Sequence, residues 1–392
     1  KINIASYHVF ENTVNNRLTD EAQSIEGIDY YFRQAIKRQF DKDLEYKFKH
    51  AVSLSGGLDS RMTSLVANEM GYTNQLNITF SQSNYLDETI AQEISSDLKH
   101  DFIFKALDNG LFMKNIDKMT NISFGHGLYS GLAHSESILS MLNWKSLGLF
   151  HTGQLGDIIL GTYSNKNFHS KMKLLDGSNS TFLKNKIHSS WIKNNYANQE
   201  IFKLYNRGFN GINQGLLVGQ KYTETFSPFY DVDFLEFAYS IPIELRYKHK
   251  IYIKWMKKHY PKSCIYRWEK TKNYPGKKRH SFNDLRKLYS KYEIFGIYLN
   301  SILKRLLNKR FKWNKTTDIL NTLNHMNPLQ YYYENNLDIK KIFDKQFNER
   351  LDLLDFSSEL KKDAISMFNK GKVTEKMMVL TLLSSLNKIY KN

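Results

Sequence analysis

A short apolar run followed directly by a turn that contains glycine occurs twice in this chain. The first run is His50–Leu54, and the string Ser55–Ser60 (SGGLDS) separates it from a helical stretch that ends near Met70. The second run is Leu147–His151, which precedes another turn with glycine. Short apolar runs bounded by turn residues are typical of buried strands. This order constrains the fold most, because it predicts two buried strands that each end in a tight turn.

Helical and extended patterns also alternate elsewhere in the first half of the chain. Apolar residues at helical spacing over Ile28–Phe40 predict an amphipathic helix before the first strand. Further strands are predicted at Gln75–Phe80 and Asp101–Phe104, with a helix over Asp87–Leu98 between them. This alternation indicates an α/β fold with a doubly wound parallel sheet, whose ligands bind beyond the carboxyl ends of the strands. After about Ser164 the strand patterns fade, which predicts a mostly helical C-terminal part.

The composition excludes several classes of protein. Hydrophobic residues make up 41% of the chain and aromatic residues 14%, which is incompatible with a disordered chain. The single cysteine, Cys264, excludes an intramolecular disulfide framework and a zinc site built on several thiolates. No apolar run approaches the length of a membrane-spanning helix. We therefore expect a cytoplasmic protein without a transmembrane segment.

The positive charge of the chain is concentrated in one segment. The formal net charge is +17, and Arg246–Lys315 alone contains 22 basic and 3 acidic residues. The rest of the chain therefore carries a net charge of −2. Such a segment attracts polyanions, so we expect one positive face that binds an anionic partner: a phosphorylated substrate, RNA or an acidic membrane surface. The alternative is a set of solvated lysine-rich helix faces.

The two glycine turns combine groups that suit a nucleotide. Glycines allow a close approach of the backbone to a ligand, and the amides at a helix N-terminus bind anions. Asp59 lies in the first turn and Asp157 follows the second. Carboxylates beside a phosphate site are natural ligands of Mg²⁺. The first turn therefore predicts an anion site, with Asp59 placed to hold Mg²⁺ beside it; the family resemblance described next implies ATP as the anion and Asp157 as a second ligand of the metal.

These strings resemble those of one enzyme family. Ser55–Ser60 resembles the pyrophosphate-binding loop of the N-type ATP pyrophosphatases, and His151–Gly161 resembles the second signature of the asparagine synthetase and β-lactam synthetase family. Glu224–Asp231 and Arg267–Pro275 resemble two further motifs of that family. The resemblance implies a sheet of the adenine-nucleotide α-hydrolase-like type. It also implies an ATP-dependent synthetase that activates a carboxylate as an acyl-adenylate, releases pyrophosphate and AMP, and forms an amide bond.

The resemblance also implies roles for individual residues. Asp59 and Asp157 match the magnesium carboxylates, and Glu224 is expected to be the partner acid or base near the reacting centre or a ligand of the substrate amine. Lys270 and Lys272 compete for the active-site lysine because the alignment is ambiguous by two residues, and we favour Lys270. The implied ATP and pyrophosphate site consists of Leu54, Ser55, Gly56, Gly57, Asp59, Ser60, Ile78, Thr79, Phe80, Gly153 and Gln154.

Four regions follow from these patterns. Residues 1–48 are expected to form a linker and an N-terminal helix, and residues 49–165 the ATP pyrophosphatase core. Residues 166–275 are expected to form a helical insertion with the substrate and lysine loops, and residues 276–392 a basic helical C-terminal region.

Three features depart from the family. Arg61 stands where the family has a small residue, so it is expected to reach a phosphate or to face solvent. Gln154 replaces a glutamate of asparagine synthetases or a tyrosine of β-lactam synthetases, and it cannot act as a general base. Too few residues precede Ser55 to form a glutaminase domain. The nitrogen is therefore expected from free ammonia, from a separate or removed glutaminase domain, or from an amine on the substrate.

Several functions remain open at this point. Within the synthetase interpretation, the carboxylate is that of aspartate, of a peptide or β-amino acid that cyclises, or of a carboxylated sugar linked to a nucleotide or carrier. The sugar is favoured because a phosphate-bearing substrate suits the basic segment, and amidation of such a sugar belongs to polysaccharide biosynthesis. A tRNA-modifying ATP pyrophosphatase and a non-catalytic nucleotide-binding scaffold are the alternatives. A peripheral location at a membrane is compatible with the same basic segment.

Overall fold

One parallel sheet forms the centre of the molecule. The computed structural model describes residues 8–12, 20–164, 172–188, 196–277 and 325–391. Within them the strand order is β3-β2-β1-β4-β5, and every pairing is parallel. The strands are β1 Lys49–Ser53, β2 Gln75–Ser81, β3 Asp101–Ala106, β4 Leu147–His151 and β5 Thr225–Phe226. The predicted α/β class and the first four strands are confirmed, whereas β5 was not predicted.

Helices make up most of the other described residues. In the first half they are α1 Glu21–Glu45, α2 Asp59–Glu69, α3 Leu86–Leu98, α4 Ile116–Ser123 and α5 Tyr129–Leu139. In the middle they are α6 Gln199–Lys203, α7 Leu217–Gln220, α8 Val232–Ser240, α9 Ile243–Arg246 and α10 Lys250–His259. The C-terminal helices are α11 Leu329–Asn335, α12 Leu337–Arg350, α13 Ser358–Lys370 and α14 Val373–Lys391. None of the described helices has the length and apolar character that crossing a membrane requires.

Helices cover both faces of the sheet. Successive side chains of a strand point to opposite faces of the sheet, so Ala51 and Val52 of β1 lie on opposite faces. Val52 packs in a core with residues of α1, α2, α8 and α10. Ala51 packs in a second core with residues of α4, α5 and the C-terminal helices. The chain order reverses between β1 and β4, and in such sheets a ligand crevice forms at this point, beyond the carboxyl ends of the strands.

A buried carboxylate joins α1 to the sheet. Asp43 Oδ2 lies 2.7 Å from His50 Nδ1 on β1 and 2.7 Å from His151 Nε2 on β4. Asp43 Oδ1 accepts a hydrogen bond from the Leu149 amide at 2.7 Å. A Cβ atom on Gly148 would lie 2.1 Å from Asp43 Oδ1, so this close approach requires glycine. Both oxygens of Asp43 are therefore engaged by protein donors, which identifies the cluster as a structural connection.

Part of the described basic segment is paired with carboxylates of α1. Lysines 250, 254 and 258 lie on α10 and face carboxylates of α1: Lys250 is 3.6 Å from Glu21, Lys254 pairs with Glu21, and Lys258 is 2.6 Å from Glu26. These pairs neutralise part of the charge that the sequence assigned to an anionic partner. Residues 278–324, which include Lys304, Arg305, Lys309 and Arg310, lie outside the described residues.

Candidate active site

The two glycine turns meet at the crevice between β1 and β4. A Cβ atom on Gly153 would lie 2.2 Å from the Ser60 amide nitrogen, and one on Gly156 would lie 2.6 Å from Asp59 Cγ. Neither distance is compatible with a side chain, so both glycines are needed for the turns to contact each other. The first turn leads directly into α2, whose first amides have no partner within the helix. The turn and the helix N-terminus thus provide a site suited to an anion.

Asp59 and Asp157 lie side by side in this contact. The Asp157 amide donates to Asp59 Oδ2 at 2.9 Å, and the Tyr252 hydroxyl on α10 donates to Asp59 Oδ1 at 2.9 Å. Burial and the negative charge of Asp157 raise the pKa of Asp59 to about 8. The two carboxylates predicted at two strand ends are therefore adjacent, and their mutual repulsion makes the site attractive to a cation.

The donor chemistry of this pair fits Mg²⁺. Magnesium prefers hard oxygen ligands and is commonly held by one or two carboxylates together with substrate phosphates. Asp157 Oδ2 accepts from the Thr162 hydroxyl at 2.7 Å, while Oδ1 accepts no hydrogen bond from any residue that the structure describes. The raised pKa of Asp59 is the expected signature of clustered carboxylates that lack a full complement of positive charge.

Lys270 supplies a positive charge to this pair and Lys272 does not. Lys270 Nζ lies 3.6 Å from Asp157 Oδ2. Lys272 is exposed, adopts a left-handed backbone with φ of 57°, and its amide donates to Trp268 O at 2.7 Å. The turn closed by this hydrogen bond places Lys270 at Asp157 and leaves Lys272 exposed to solvent. The structure thus distinguishes the two lysines that the sequence left as competitors.

A histidine also lies beside the lysine. His249 Nε2 is 3.3 Å from Thr162 Oγ1, and its ring lies edge-on to Trp268 at a centroid distance of 5.8 Å. Burial and the charge of Lys270 lower the pKa of His249 to about 4. The imidazole is therefore neutral at physiological pH and adds no charge to the site.

A cavity of about 630 Å³ opens from the two turns toward α5 and α7. Its size falls in the range of sites that bind cofactors and small substrates. Gln154 also joins a neighbouring loop to the site, because its side-chain amide donates to Ile212 O at 2.8 Å. Seven of the residues predicted for ATP binding line this cavity: Ser55, Gly57, Asp59, Ser60, Phe80, Gly153 and Gln154.

Other predicted residues are placed away from the cavity. Leu54 is buried in a small core against α3, and its carbonyl accepts from Thr79 Oγ1 at 2.6 Å. Ile78 is buried in the core that contains α5. The side chains of Leu54, Ile78 and Thr79 therefore serve packing and strand connection. Glu224 is exposed and does not line the cavity, and its role near the reacting centre stays a prediction.

Gly56 of the first turn faces the protein interior. Its amide donates to Asp87 Oδ1 at 2.7 Å, and burial raises the pKa of Asp87 to about 6. Its carbonyl accepts from Arg61 Nη2 at 3.1 Å and from the Glu269 amide at 3.0 Å. Gly56 thus shapes the turn, and its amide is occupied by a carboxylate.

Arg61 neither faces solvent nor points at the cavity. Its side chain is fully buried and donates to the main-chain carbonyls of Ser263 at 2.9 Å, Tyr266 at 3.3 Å and Arg267 at 2.5 Å, besides that of Gly56. Both expectations for this residue are wrong. Arg61 and Tyr252 were missed as contributors because their partners lie about 200 positions away along the chain, where no local pattern reveals them.

Comparison with known proteins assigns no family to the chain. No protein-family model matches the sequence, and a search of curated proteins finds no significant match. The functional argument therefore depends on the motifs and on the geometry of the two turns.

Proposed function

We propose that this chain is an ATP-dependent carbon–nitrogen ligase, similar to asparagine synthetases, with a sheet of the ATP pyrophosphatase type. One observation carries the proposal. Asp59 and Asp157, from two strand-end turns, are adjacent beside a cavity of about 630 Å³, and Lys270 lies 3.6 Å from Asp157. A glycine turn at a helix N-terminus can bind the phosphates of ATP, and two carboxylates with a metal and one lysine can stabilise the charge that develops during adenylate formation.

The first step is formation of an acyl-adenylate. A carboxylate oxygen of the substrate attacks the α-phosphorus of ATP, the bond to the β-phosphate oxygen breaks, and pyrophosphate leaves. Asp59 and Asp157 would hold Mg²⁺, which neutralises phosphate charge when bound. The ammonium group of Lys270 stabilises the negative charge that develops on the phosphoryl oxygens. The hydroxyls of Ser55 and Ser60 donate hydrogen bonds to the departing pyrophosphate.

The second step is amide formation. An amine nitrogen attacks the acyl carbon, the bond to the phosphate oxygen of AMP breaks, and the amine loses one proton. Gln154 lines the cavity but has no basic group, so the proton passes to solvent or to another group. This chemistry suits a free amine or ammonia. The carboxylated sugar remains our favoured substrate class, and aspartate and a cyclising peptide are the other candidates.

Exchange of [³²P]pyrophosphate into ATP tests the proposal, because only adenylate formation supports it. The panel contains aspartate, a β-amino acid, free uronic acids and nucleotide-linked uronic acids. We expect exchange with at least one carboxylate, dependent on Mg²⁺, and none with the Asp59→Asn variant. If ATP binds and no carboxylate supports exchange, the chain is a nucleotide-binding protein and the ligase proposal is wrong. Exchange that requires tRNA would instead favour a tRNA-modifying enzyme.

A further inference from the structure

Arg61 is fully buried beside the candidate site, and no step of the proposed reaction uses it. A buried guanidinium usually pairs with a carboxylate, as Arg246 does with Glu200 at 2.6 Å. Arg61 instead donates only to main-chain carbonyls among the described residues. Burial lowers the pKa of Arg61 to about 10, so it remains a cation at physiological pH. A buried cation with this set of acceptors requires an explanation beyond charge pairing.

The acceptors of Arg61 belong to two segments that are far apart in sequence. Gly56 lies in the turn that leads into α2, whereas the other three carbonyls lie in residues 263–267. The second segment leads directly into the loop of Lys270. The Glu269 amide donates to Gly56 O at 3.0 Å, the same carbonyl that accepts from Arg61. The residue before Lys270 is therefore bonded to the glycine turn.

We propose that Arg61 is a positioning residue that holds residues 263–267 against the glycine turn and thereby keeps Lys270 at Asp157. The consequence for catalysis rests on the proposed function, whereas the consequence for loop structure does not. Arg61 itself contacts no substrate.

The chemistry of guanidinium explains why lysine would be a poor substitute. Arginine presents a planar fork of five donors, and Arg61 uses it to reach four carbonyls in different directions. An ammonium group has three donors at a single point and cannot span the same acceptors. Arg61→Lys therefore keeps the charge and removes most of the connection between the two segments.

The rate of pyrophosphate exchange and the Kd for MgATP together distinguish a positioning residue from a residue that binds ATP. For Arg61→Lys we expect the maximal rate of pyrophosphate exchange to fall at least about tenfold, while the Kd for MgATP changes less than about threefold. The matched control is Arg350→Lys, which disrupts the bidentate pair between Arg350 on α12 and Asp117 on α4, neither of which lines the cavity. It should leave both values unchanged. A loss of ATP affinity equal to the loss of rate would overturn the proposal.

A double-mutant cycle tests whether Arg61 acts through Lys270. In a Lys270→Ala background, Arg61→Lys should reduce the exchange rate less than about twofold further, because the side chain that Arg61 positions is already absent. Additive losses would show that Arg61 acts by another route. If Arg61→Lys does not fold, Glu269→Pro replaces it, since proline has no amide to donate to Gly56 O and so removes the direct bond between the Lys270 loop and the glycine turn.

Hydrogen exchange of backbone amides gives a readout that needs no activity. The Glu269 amide, bonded to Gly56 O, and the Lys272 amide, bonded to Trp268 O, should exchange at least about tenfold faster in Arg61→Lys than in the wild-type chain. Unchanged exchange at both amides would overturn the proposal. Faster amide exchange in a chain that catalyses no pyrophosphate exchange would support the structural role of Arg61 and count against the ligase function alone.

Discussion

Two aspartates near the central sheet show opposite electrostatic behaviour. Asp43, between α1 and the strands, accepts hydrogen bonds from two imidazoles and one amide, and these donors hold its pKa below the usual range. Asp59, at the carboxyl edge, is half-buried and lines the cavity, Asp157 lies beside it, and its pKa is raised to about 8. The protein thus surrounds one carboxylate with hydrogen-bond donors and places the other beside a second carboxylate.

The different surroundings of Asp43 and Asp59 distinguish an aspartate that stabilises the fold from one that is suited to bind a ligand. A carboxylate with a full set of donors stabilises the fold and offers little to a ligand. A carboxylate that repels its neighbour destabilises the empty site and gains energy when a cation binds. Substitution at the two positions should therefore have opposite effects on stability, and only one position should control activity.

The largest expected effect is on activity at the edge of the sheet. Asp59→Asn should lower pyrophosphate exchange at least about 1000-fold, because the carboxylate that would hold Mg²⁺ is lost. Its circular dichroism spectrum should match that of the wild-type chain. Asp157→Asn should have a comparable effect. Wild-type exchange rates in the Asp59→Asn variant would contradict the adenylation mechanism.

The next effect is on stability in the interior. Asp43→Ala should lower the free energy of unfolding by roughly 3–5 kcal/mol, because two buried imidazoles lose their acceptor. Urea denaturation checks this value. Since the pKa of Asp43 is lowered, its contribution is present above its unfolded value of 3.8 and is lost as the pH falls through the lower folded value. A change below about 1 kcal/mol would show that the cluster is unimportant for folding.

The two lysines provide a smaller contrast at the same edge. Lys270→Ala should reduce pyrophosphate exchange by about 100-fold, because one charge that stabilises the transition state is removed. Lys272→Ala should change the rate less than about threefold and is the matched control, since it lies two residues away in the same turn. Equal losses for the two variants would remove the distinction between them.

The smallest expected effect concerns pH and the empty site. The folded pKa of Asp59 is raised, so its contribution to stability is full below the unfolded value of 3.8 and declines as the pH rises toward about 8. Without Mg²⁺, the Asp59→Asn variant should therefore melt roughly 2–5 °C higher than the wild-type chain at pH 8. At pH 4 the two chains should melt at nearly the same temperature, because Asp59 is then protonated. Added Mg²⁺ should stabilise only the wild-type chain, and more at pH 8 than at pH 6. If the Asp59→Asn variant and the wild-type chain have identical melting curves at pH 8, Asp59 does not destabilise the empty site, and the proposed difference from Asp43 is wrong.

Local patterns predicted most of the sheet and part of the site. Four strands and the helices α1, α2 and α3 follow from apolar spacing and turn residues, because those signals are local; the helices α4 and α5 between β3 and β4 were not predicted. The strand β5 has only two residues, Thr225 and Phe226, which is too short for a periodic pattern. The adjacency of Asp59 and Asp157 follows from the parallel sheet, since each aspartate comes just after a strand.

The remaining features of the site depend on tertiary contacts. Arg61 was expected at a phosphate or in solvent, and only the folded chain brings the carbonyls of residues 263–267 to it. Glu224 was assigned from its place in a motif, yet its side chain is exposed. The two lysines differ in direction because Lys272 has a left-handed backbone, a conformation that the sequence does not signal with a glycine. Main-chain acceptors and turn conformations of this kind leave no trace in side-chain spacing.

The long sequence separation between Arg61 and its acceptors has a consequence for the order of folding. During synthesis, the glycine turn and α2 are translated long before residues 263–267, so Arg61 then has only the Gly56 carbonyl among its four acceptors. A buried cation without its acceptors is costly, so α2 cannot settle fully on the sheet at that stage. The glycine turn is therefore completed late. The N-terminal strands and helices, expressed without α10 and the segment after it, would not form the candidate site on their own.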